Sequence, residues 1–184
     1  MKKVKNLFAA ALVILTATTA MAQGTKMVGG AAMYPTKNII ENAVNSKDHT
    51  TLVAAVKAAG LVETLSSKGP FTVFAPVNAA FDKLPAGTVD NLLKPESKAA
   101  LTGVLTYHVI SGNFSAATVF AAIKKGAGKF VAKTVAGSEL TFTKKGKNLI
   151  ITDANGGTAK VTIADVNQSN GVIHVIDAVL LPKM

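Results

Sequence analysis

The chain changes character near Lys129, and this change limits the folds open to it more than any other feature. Before that point, apolar residues recur at helical spacing in several short segments, whereas after it they come in short β-branched runs. Turn residues divide these runs at Gly137, at Gly146 and at Asn155-Gly156-Gly157, in the manner of hairpins. This order predicts an α+β domain, with several helices packed on one side of antiparallel sheets.

The helical half also shows where its elements begin and end. Gly60 follows an apolar-periodic segment and is expected to end that helix, because glycine adopts positive φ without strain. Asn78 stands where an N-cap is expected for the short helix that follows it. The apolar segment from Tyr107 to Ile110 predicts a strand.

The first 22 residues have the organisation of a secretory signal peptide. A basic start precedes the apolar run from Leu7 to Ala17, and Ala20-Met21-Ala22 offers a small-residue cleavage site. The run is too short to span a bilayer, which needs about 20 apolar residues. We therefore expect cleavage near Ala22 and export to the periplasm, the cell surface or the extracellular space, with no transmembrane segment in the mature chain. The mature chain would comprise a tether over residues 23–35 and one domain over residues 36–184.

Composition excludes several classes of function. The chain has no cysteine, so it has neither disulfides nor thiolate catalysis nor cysteine-ligated metal. Its formal net charge of +10 comes from lysine alone, because the sequence contains no arginine. Arginine reads base edges, and aromatic side chains stack on the bases of single-stranded nucleic acid. This chain has no arginine and few aromatic residues. The charge therefore favours attraction to anionic surfaces over specific nucleic-acid recognition.

Three segments, in order, carry a resemblance to a known family. They are T-V-F-A-P-V-N-A-A-F over residues 72–81, the pair Tyr107-His108, and N-G-V-I-H-V-I-D over residues 170–177, which runs on to Leu180-Leu181-Pro182. Together they resemble the signatures of the fasciclin (FAS1) family over nearly the whole of residues 36–182. Val77 departs from the pattern, since the family usually has threonine at that place.

The resemblance implies both a fold and a kind of function. It implies sheets arranged as a wedge or sandwich with helices on one side, and a secreted adhesion or binding module. Animal members are thought to engage partners through an Asp-Ile pair and through the Tyr-His region. Asp165-Val166 and Tyr107-His108 occupy these places here, which makes all four residues candidates for partner binding. The alternative is that Asp165 ends a strand and Tyr107 packs in the core.

The histidines do not form a recognisable catalytic or metal motif. His108 and His174 stand in apolar segments and are expected to be core residues with their hydrogen bonds satisfied. His49 falls between two predicted helices and is expected in the connecting loop. No nucleophile elbow or zinc-binding helix motif is present in the sequence. We therefore predict no catalytic residues, no metal site and no cofactor.

A lysine-rich stretch is the second candidate for binding. It contains seven lysines and a single acid, Glu139, and it is a candidate site for sulfated, uronic or phosphorylated polymers. The alternative is that these lysines keep strand edges soluble. The seven candidates are Lys124, Lys125, Lys129, Lys133, Lys144, Lys145 and Lys147.

Three hypotheses for function follow. The first is a monomeric, non-catalytic adhesion module of the cell envelope or extracellular matrix, with a polysaccharide or protein partner. The second is a structural or stress-linked envelope protein without a dedicated ligand. The third, an enzyme acting on exported polymers, has no acid pair visible in the sequence to support it.

Overall fold

The computed structural model describes residues 24–183, so the predicted signal peptide lies outside the described residues. The helices are α1 (Ile39–Ala43), α2 (Thr50–Ala59), α3 (Val62–Ser66), α4 (Asn78–Phe81), α5 (Thr88–Leu92), α6 (Lys98–Tyr107) and α7 (Ala116–Lys125). Two 3-10 turns occupy Lys47–His49 and Pro95–Ser97. The strands are β1 (Lys26–Val28), β2 (Ala31–Met33), β3 (Phe71–Pro76), β4 (Val109–Ser111), β5 (Lys129–Lys133), β6 (Glu139–Lys145), β7 (Asn148–Thr152), β8 (Thr158–Gln168) and β9 (Gly171–Ile176).

Seven of these strands form one sheet in the order β4-β3-β9-β8-β7-β6-β5. The predicted α+β class is confirmed, and the chain turns between the later strands at the glycines that predicted hairpins. One pairing differs from the antiparallel expectation, because β3 and β9 run parallel. Most of the chain separates these two strands, and turn residues predict only pairings between strands that are neighbours in sequence.

The central strands β3 and β9 have a hydrophobic core on each face. In β3, Val73 and Ala75 face a core shared with helices α1, α2, α3 and α6, whereas Phe74 faces a second core. β9 alternates in the same way, with Val175 in the first core and Ile176 in the second. This two-fold alternation is the ordinary geometry of a strand with both faces buried.

The second core forms where the sheet folds over itself. Phe142 of β6 lies against Phe74 of β3, with ring centroids 5.4 Å apart. Val119 and Ile123 of α7 close this core, so α7 does not join the layer formed by the other helices. The arrangement is the wedge or sandwich expected from the sequence, with one helix on its second side.

The Tyr-His pair lies at the end of a helix and not on a strand as predicted. Helix α6 continues through Tyr107, His108 caps it, and β4 begins only at Val109. A short apolar run does not distinguish the last turn of a buried helix from a buried strand. The helix therefore extends into the segment where the sequence predicted a strand.

The segment expected to be a tether, residues 23–35, contributes to the domain. β1 and β2 form an antiparallel hairpin, and Val28 and Met33 from its two strands are buried in the first core. The Lys47 amide also donates to the Gly29 carbonyl at 3.1 Å. The hairpin is therefore packed on the domain.

Asn78 caps a different helix from the one predicted. Val77 is the N-cap of α4, and the Asn78 side chain makes no cap bond to that helix. Its Oδ1 instead accepts from the Thr51 amide at 3.1 Å and from the Thr50 hydroxyl at 3.2 Å, at the start of α2. Its Nδ2 donates to the Lys47 carbonyl at 2.9 Å. The side chain thus ties the strand-to-helix corner after β3 to the first turn of α2.

Candidate functional site

All seven lysines of the predicted cluster are exposed, but the fold divides them between different surfaces. Lys129 and Lys133 of β5 pair with Thr143 and Glu139 of β6. Directly paired residues point to the same face of a sheet, and so do residues two apart on one strand. Lys145 therefore shares the outer face of the sheet with Lys129 and Lys133.

The strand register adds a lysine that the sequence did not indicate. Thr143 pairs with Ile150 of β7, and Ile150 pairs in turn with Lys160 of β8. The exposed side chain of Lys160 thus belongs to the same outer face. We call the set Lys129, Lys133, Lys145 and Lys160 the lysine face. Lys160 escaped prediction because it lies outside the lysine-rich stretch and only the register of three strands brings it there.

The remaining lysines point elsewhere. Lys144 lies on the opposite face of β6, where its Nζ stands 5.7 Å from the ring centroid of Phe120 in α7. Lys124 and Lys125 end α7, where positive charge is favourable to the helix dipole. Lys147 occupies the turn between β6 and β7. Of the seven predicted lysines, the fold therefore brings Lys129, Lys133 and Lys145 together on the lysine face, and polyanion binding there stays a prediction.

Asp165 performs a structural role. Its Oδ1 accepts a hydrogen bond of 2.7 Å from the amide of Ala116, the first residue of α7. A carboxylate at this end of a helix is favoured by the helix dipole. The Asp165 backbone has a φ of 53°, at an irregularity in the pairing of β8 with β9. Val166, the other half of the predicted pair, is buried in the first core.

Tyr107 and His108 are also internal. The Tyr107 hydroxyl donates to the Glu139 carbonyl at 2.9 Å and accepts from the Ala154 amide at 2.9 Å. His108 Nδ1 donates to the Val104 carbonyl at 2.8 Å, and its Nε2 accepts from the Leu180 amide at 3.0 Å. These contacts define a neutral ring, and burial lowers the pKa of His108 to about 4.

Burial therefore argues against the four candidates as a partner site. Tyr107, His108 and Val166 have almost no exposed surface, and the carboxylate of half-buried Asp165 is occupied at the start of α7. Partner binding at these positions stays a prediction, and it would require the domain to open locally. Of the alternative stated from the sequence, the core packing of Tyr107 agrees with the structure, whereas Asp165 does not end a strand, because β8 continues to Gln168.

His174, which lies on strand β9, is likewise held in place by its neighbours. His174 Nε2 donates to the Phe114 carbonyl at 2.8 Å, and its Nδ1 accepts from the Asp165 amide at 3.3 Å. Its ring stacks on Phe74, with centroids 5.6 Å apart. Burial lowers the pKa of His174, so this ring is neutral as well.

The described part of the chain shows neither a metal cluster nor a membrane-spanning helix. Among residues 24–183, no three histidine or acidic side chains gather closely enough to hold a metal ion. Within the same range, no helix combines the length and the apolar character needed to cross a bilayer.

The fold matches that of a solved adhesion protein. A FAS1 domain pair from the insect cell adhesion molecule fasciclin I superposes with a TM-score of 0.69 at 18% sequence identity. The match covers 79% of this chain and 51% of that chain, so this chain spans about half of the pair. The molecule thus has the fold of a FAS1 domain. The family model of the fasciclin domain matches residues 47–182, and the chain belongs to the fasciclin family.

Bacterial relatives support the assignment. "Protein sll1483" of Synechocystis sp. is 45% identical over 190 residues, covering 96% of this chain and 98% of the relative. Immunogenic protein MPB70 of Mycobacterium bovis is 39% identical over 145 residues, covering 76% of this chain and 66% of that protein. The cell surface glycolipoprotein MPB83 of the same species is 34% identical over 164 residues, covering 86% and 66%. Fasciclin-family proteins are non-catalytic and of the adhesion type, so the chain is not an enzyme.

Proposed function

We propose that this protein works in the cell envelope or extracellular matrix as a non-catalytic binding module that holds anionic polymers on its lysine face. The observation that carries the proposal is the convergence of Lys129, Lys133, Lys145 and Lys160 on the outer face of four adjacent strands. The predicted signal peptide would deliver the chain to that location. The similarity to a cell surface glycolipoprotein and to the fold of a cell adhesion molecule supports the same location.

The spacing of the lysine face favours a polymer over a single small anion. A strand rises about 3.3 Å per residue, so Lys129 and Lys133 stand roughly 13 Å apart along β5. Two point charges held this far apart along a strand match a chain with repeated anionic groups better than one sulfate or phosphate group. The only acid of the lysine-rich stretch, Glu139, pairs with Lys133, which leaves Lys129 and Lys145 without an opposing charge in that stretch.

The use of lysine in place of arginine also indicates how selective and how salt-dependent the binding is. Lysine is a hydrated point charge on a flexible stem, without the fixed two-pronged geometry of arginine. Such contacts tolerate different anionic sugars, and salt screens them strongly at an exposed surface. We therefore expect binding of moderate affinity that is broad among polyanions and weakens steeply with ionic strength.

A second candidate function has its own support. β5 is one of the two edge strands of the seven-stranded sheet and carries Lys129 and Lys133. Lysines on an edge strand deter pairing with another chain. In that case the protein is a structural or stress-linked envelope component, and the lysines keep it soluble.

The test compares two variants with the same loss of charge. One carries Lys129→Gln, Lys133→Gln and Lys145→Gln, and the control carries Lys68→Gln, Lys94→Gln and Lys98→Gln at exposed positions in the helical half. Binding to immobilised alginate, heparin and neutral dextran is measured at low and physiological salt. Three surface charge contacts of about 0.5 kcal/mol each predict a loss of roughly tenfold in affinity for the first variant.

The two hypotheses give different outcomes in this experiment. Binding of the native chain to alginate or heparin, weakened only in the lysine-face variant, supports the proposal. An equal loss in both variants would show that net charge alone is responsible. If the native chain binds none of the polymers while the lysine-face variant forms assemblies on sizing columns, the proposal of polymer binding is wrong. The lysines then serve to keep the edge strand from pairing with other chains.

A further inference from the structure

A row of uncharged side chains crosses the outer face of the sheet between members of the lysine face. Val131 of β5 pairs with Thr141 of β6, which pairs in turn with Thr152 of β7. Thr152 pairs with Thr158 of β8. Directly paired residues point to the same face of a sheet, and neighbouring strands lie about 4.8 Å apart. We call these four residues the threonine row, which crosses the strands over roughly 14 Å.

Lysines stand at both ends of the threonine row. Residues two apart on one strand share a face and lie about 6.6 Å from each other. Lys129 and Lys133 therefore flank Val131 on its two sides. Lys160 stands in the same way beside Thr158 at the far end. The positive charges at the ends of the row thus belong to β5 and β8, and the row between them is uncharged.

The middle of the row presents hydroxyl and methyl groups together. Thr141 and Thr152 are half-buried and Thr158 is exposed, while Val131 at the β5 end is 41% exposed. A threonine hydroxyl both donates and accepts hydrogen bonds. Its methyl group offers an apolar contact, as Val131 does. The row therefore matches a ligand that combines hydroxyl groups with C–H surface, as a sugar ring does.

The charge beside the row disfavours a ligand that is anionic along its whole length. Glu139 lies two residues from Thr141 on β6 and therefore on the same face. An anionic group placed over Thr141 would be repelled by this carboxylate, whereas a neutral sugar would not. Ionised sulfate groups also only accept hydrogen bonds, so they leave the acceptor side of each threonine hydroxyl unused.

We propose that the polymer held by the lysine face is an acidic polysaccharide in which uronic and neutral sugars alternate, lying across the strands along the threonine row. This inference rests on the proposed function, because it names the class of polymer for the same site. Carboxylates of the uronic sugars would meet Lys129 or Lys133 at one end and Lys160 at the other. The neutral sugar between them would contact Thr141 and Thr152.

The neutral contacts give this binding a distinct dependence on salt. Salt screens charge pairs at an exposed surface, whereas hydrogen bonds between hydroxyl groups carry no net charge to be screened. Hyaluronan alternates uronic and neutral sugars and has no sulfate, whereas heparin is densely sulfated. We therefore expect added salt to weaken the binding of heparin more steeply than that of hyaluronan.

A variant of the row tests the proposal with hyaluronan and heparin as probes. Thr141→Val with Thr152→Val removes the two central hydroxyls and keeps β-branched side chains, which suit a strand. This row variant should bind hyaluronan about fivefold more weakly and heparin within about twofold of the native chain, as expected when two neutral hydrogen bonds are lost. The control, Thr36→Val with Thr64→Val at exposed positions in the helical half, should bind both polymers as the native chain does.

The outcomes separate this inference from the proposed function. Three results overturn the inference alone: binding of heparin but not of hyaluronan, hyaluronan binding that is unchanged in the row variant, and an equal loss of both polymers in that variant. If the lysine-face variant binds both polymers as the native chain does, or if the native chain binds neither, the proposed function fails as well.

A second measurement decides the question if the row variant does not fold. In the isotopically labelled native chain, a hyaluronan oligosaccharide should shift the NMR amide signals of Thr141 and Thr152 together with those of Lys129 and Lys160. Shifts confined to the lysines would overturn the inference.

Discussion

The three histidines show how burial sets the chemistry of single residues in this protein. His49, His108 and His174 are all buried, and desolvation is the largest cause of the lowered pKa of each ring. The expectation that His108 and His174 are satisfied core residues agrees with the structure, because both rings use both nitrogens. His49 was expected in a loop, and it does end a 3-10 turn, but that turn is folded inward.

These rings predict that the domain loses stability in mild acid. The pKa of His108 is about 4 in the folded chain and about 6.5 when unfolded, so between these values the unfolded state binds more protons. The contribution of the neutral His108 ring to the free energy of unfolding is fully present above pH 6.5 and is lost as pH falls towards 4. The loss from this residue is roughly 3 kcal/mol. The lowered pKa values of His49 and His174 act in the same direction.

Urea unfolding at a series of pH values from 7.5 to 4 measures this effect. The free energy of unfolding should fall with pH, and His108→Gln should flatten the slope while lowering the stability at neutral pH. A free energy that stays constant between pH 6.5 and 4.5 would contradict the assignment of a buried neutral ring.

At the scale of elements, Asn78 joins helices that are distant in sequence. Asn78→Ala should destabilise the domain by about 1–2 kcal/mol, the usual cost of losing an N-cap. Because its side chain accepts from the Thr51 amide, hydrogen exchange should accelerate at the first turn of α2 and not within α4.

Asn38→Ala is the matched control for this prediction. Asn38 forms a capping box within its own helix, with its Oδ1 accepting from the Glu41 amide. Its loss should accelerate exchange in α1 alone. Faster exchange in α4 after Asn78→Ala would instead support the sequence prediction that Asn78 caps α4.

The ends of the helices and the registers of the strands determine which of the candidate residues lie together. The sequence predicted that Asn78 caps α4. In the structure its side chain caps α2 instead, because the corner after β3 lies against that helix. The lysine-rich stretch was visible in the sequence, but its division between two faces follows from pairings such as Lys129 with Thr143. Lys160 joined the lysine face only through the register of β7 with β8.

At the scale of the whole molecule, the domain begins earlier than the sequence suggested. The family model starts at residue 47, but the hairpin of β1 and β2 contributes Val28 and Met33 to the core. Met33 is 3% exposed, whereas Met27 on the same hairpin is 61% exposed. The two methionines offer a direct comparison of buried and exposed side chains of one type.

Met33→Ala should lower the free energy of unfolding by about 2–5 kcal/mol, because it removes a buried side chain and leaves a cavity. Met27→Ala should change it by less than about 0.5 kcal/mol, since an exposed substitution usually has little effect. Thermal and chemical denaturation measure both. Equal and small effects would mean that residues 23–35 are a tether after all.

The sequence by itself determined the class of the fold, most of its turns and its family. These depend on neighbours along the chain, because helical periodicity, β-branched runs and turn glycines act locally, and the three signature segments are contiguous. The tertiary structure alone decided the parallel pairing of β3 with β9, the members of the lysine face and the burial of Tyr107. It alone also placed His49 in an apolar cavity. The physical reason is that register and burial arise from contacts between distant segments, which local propensity does not encode.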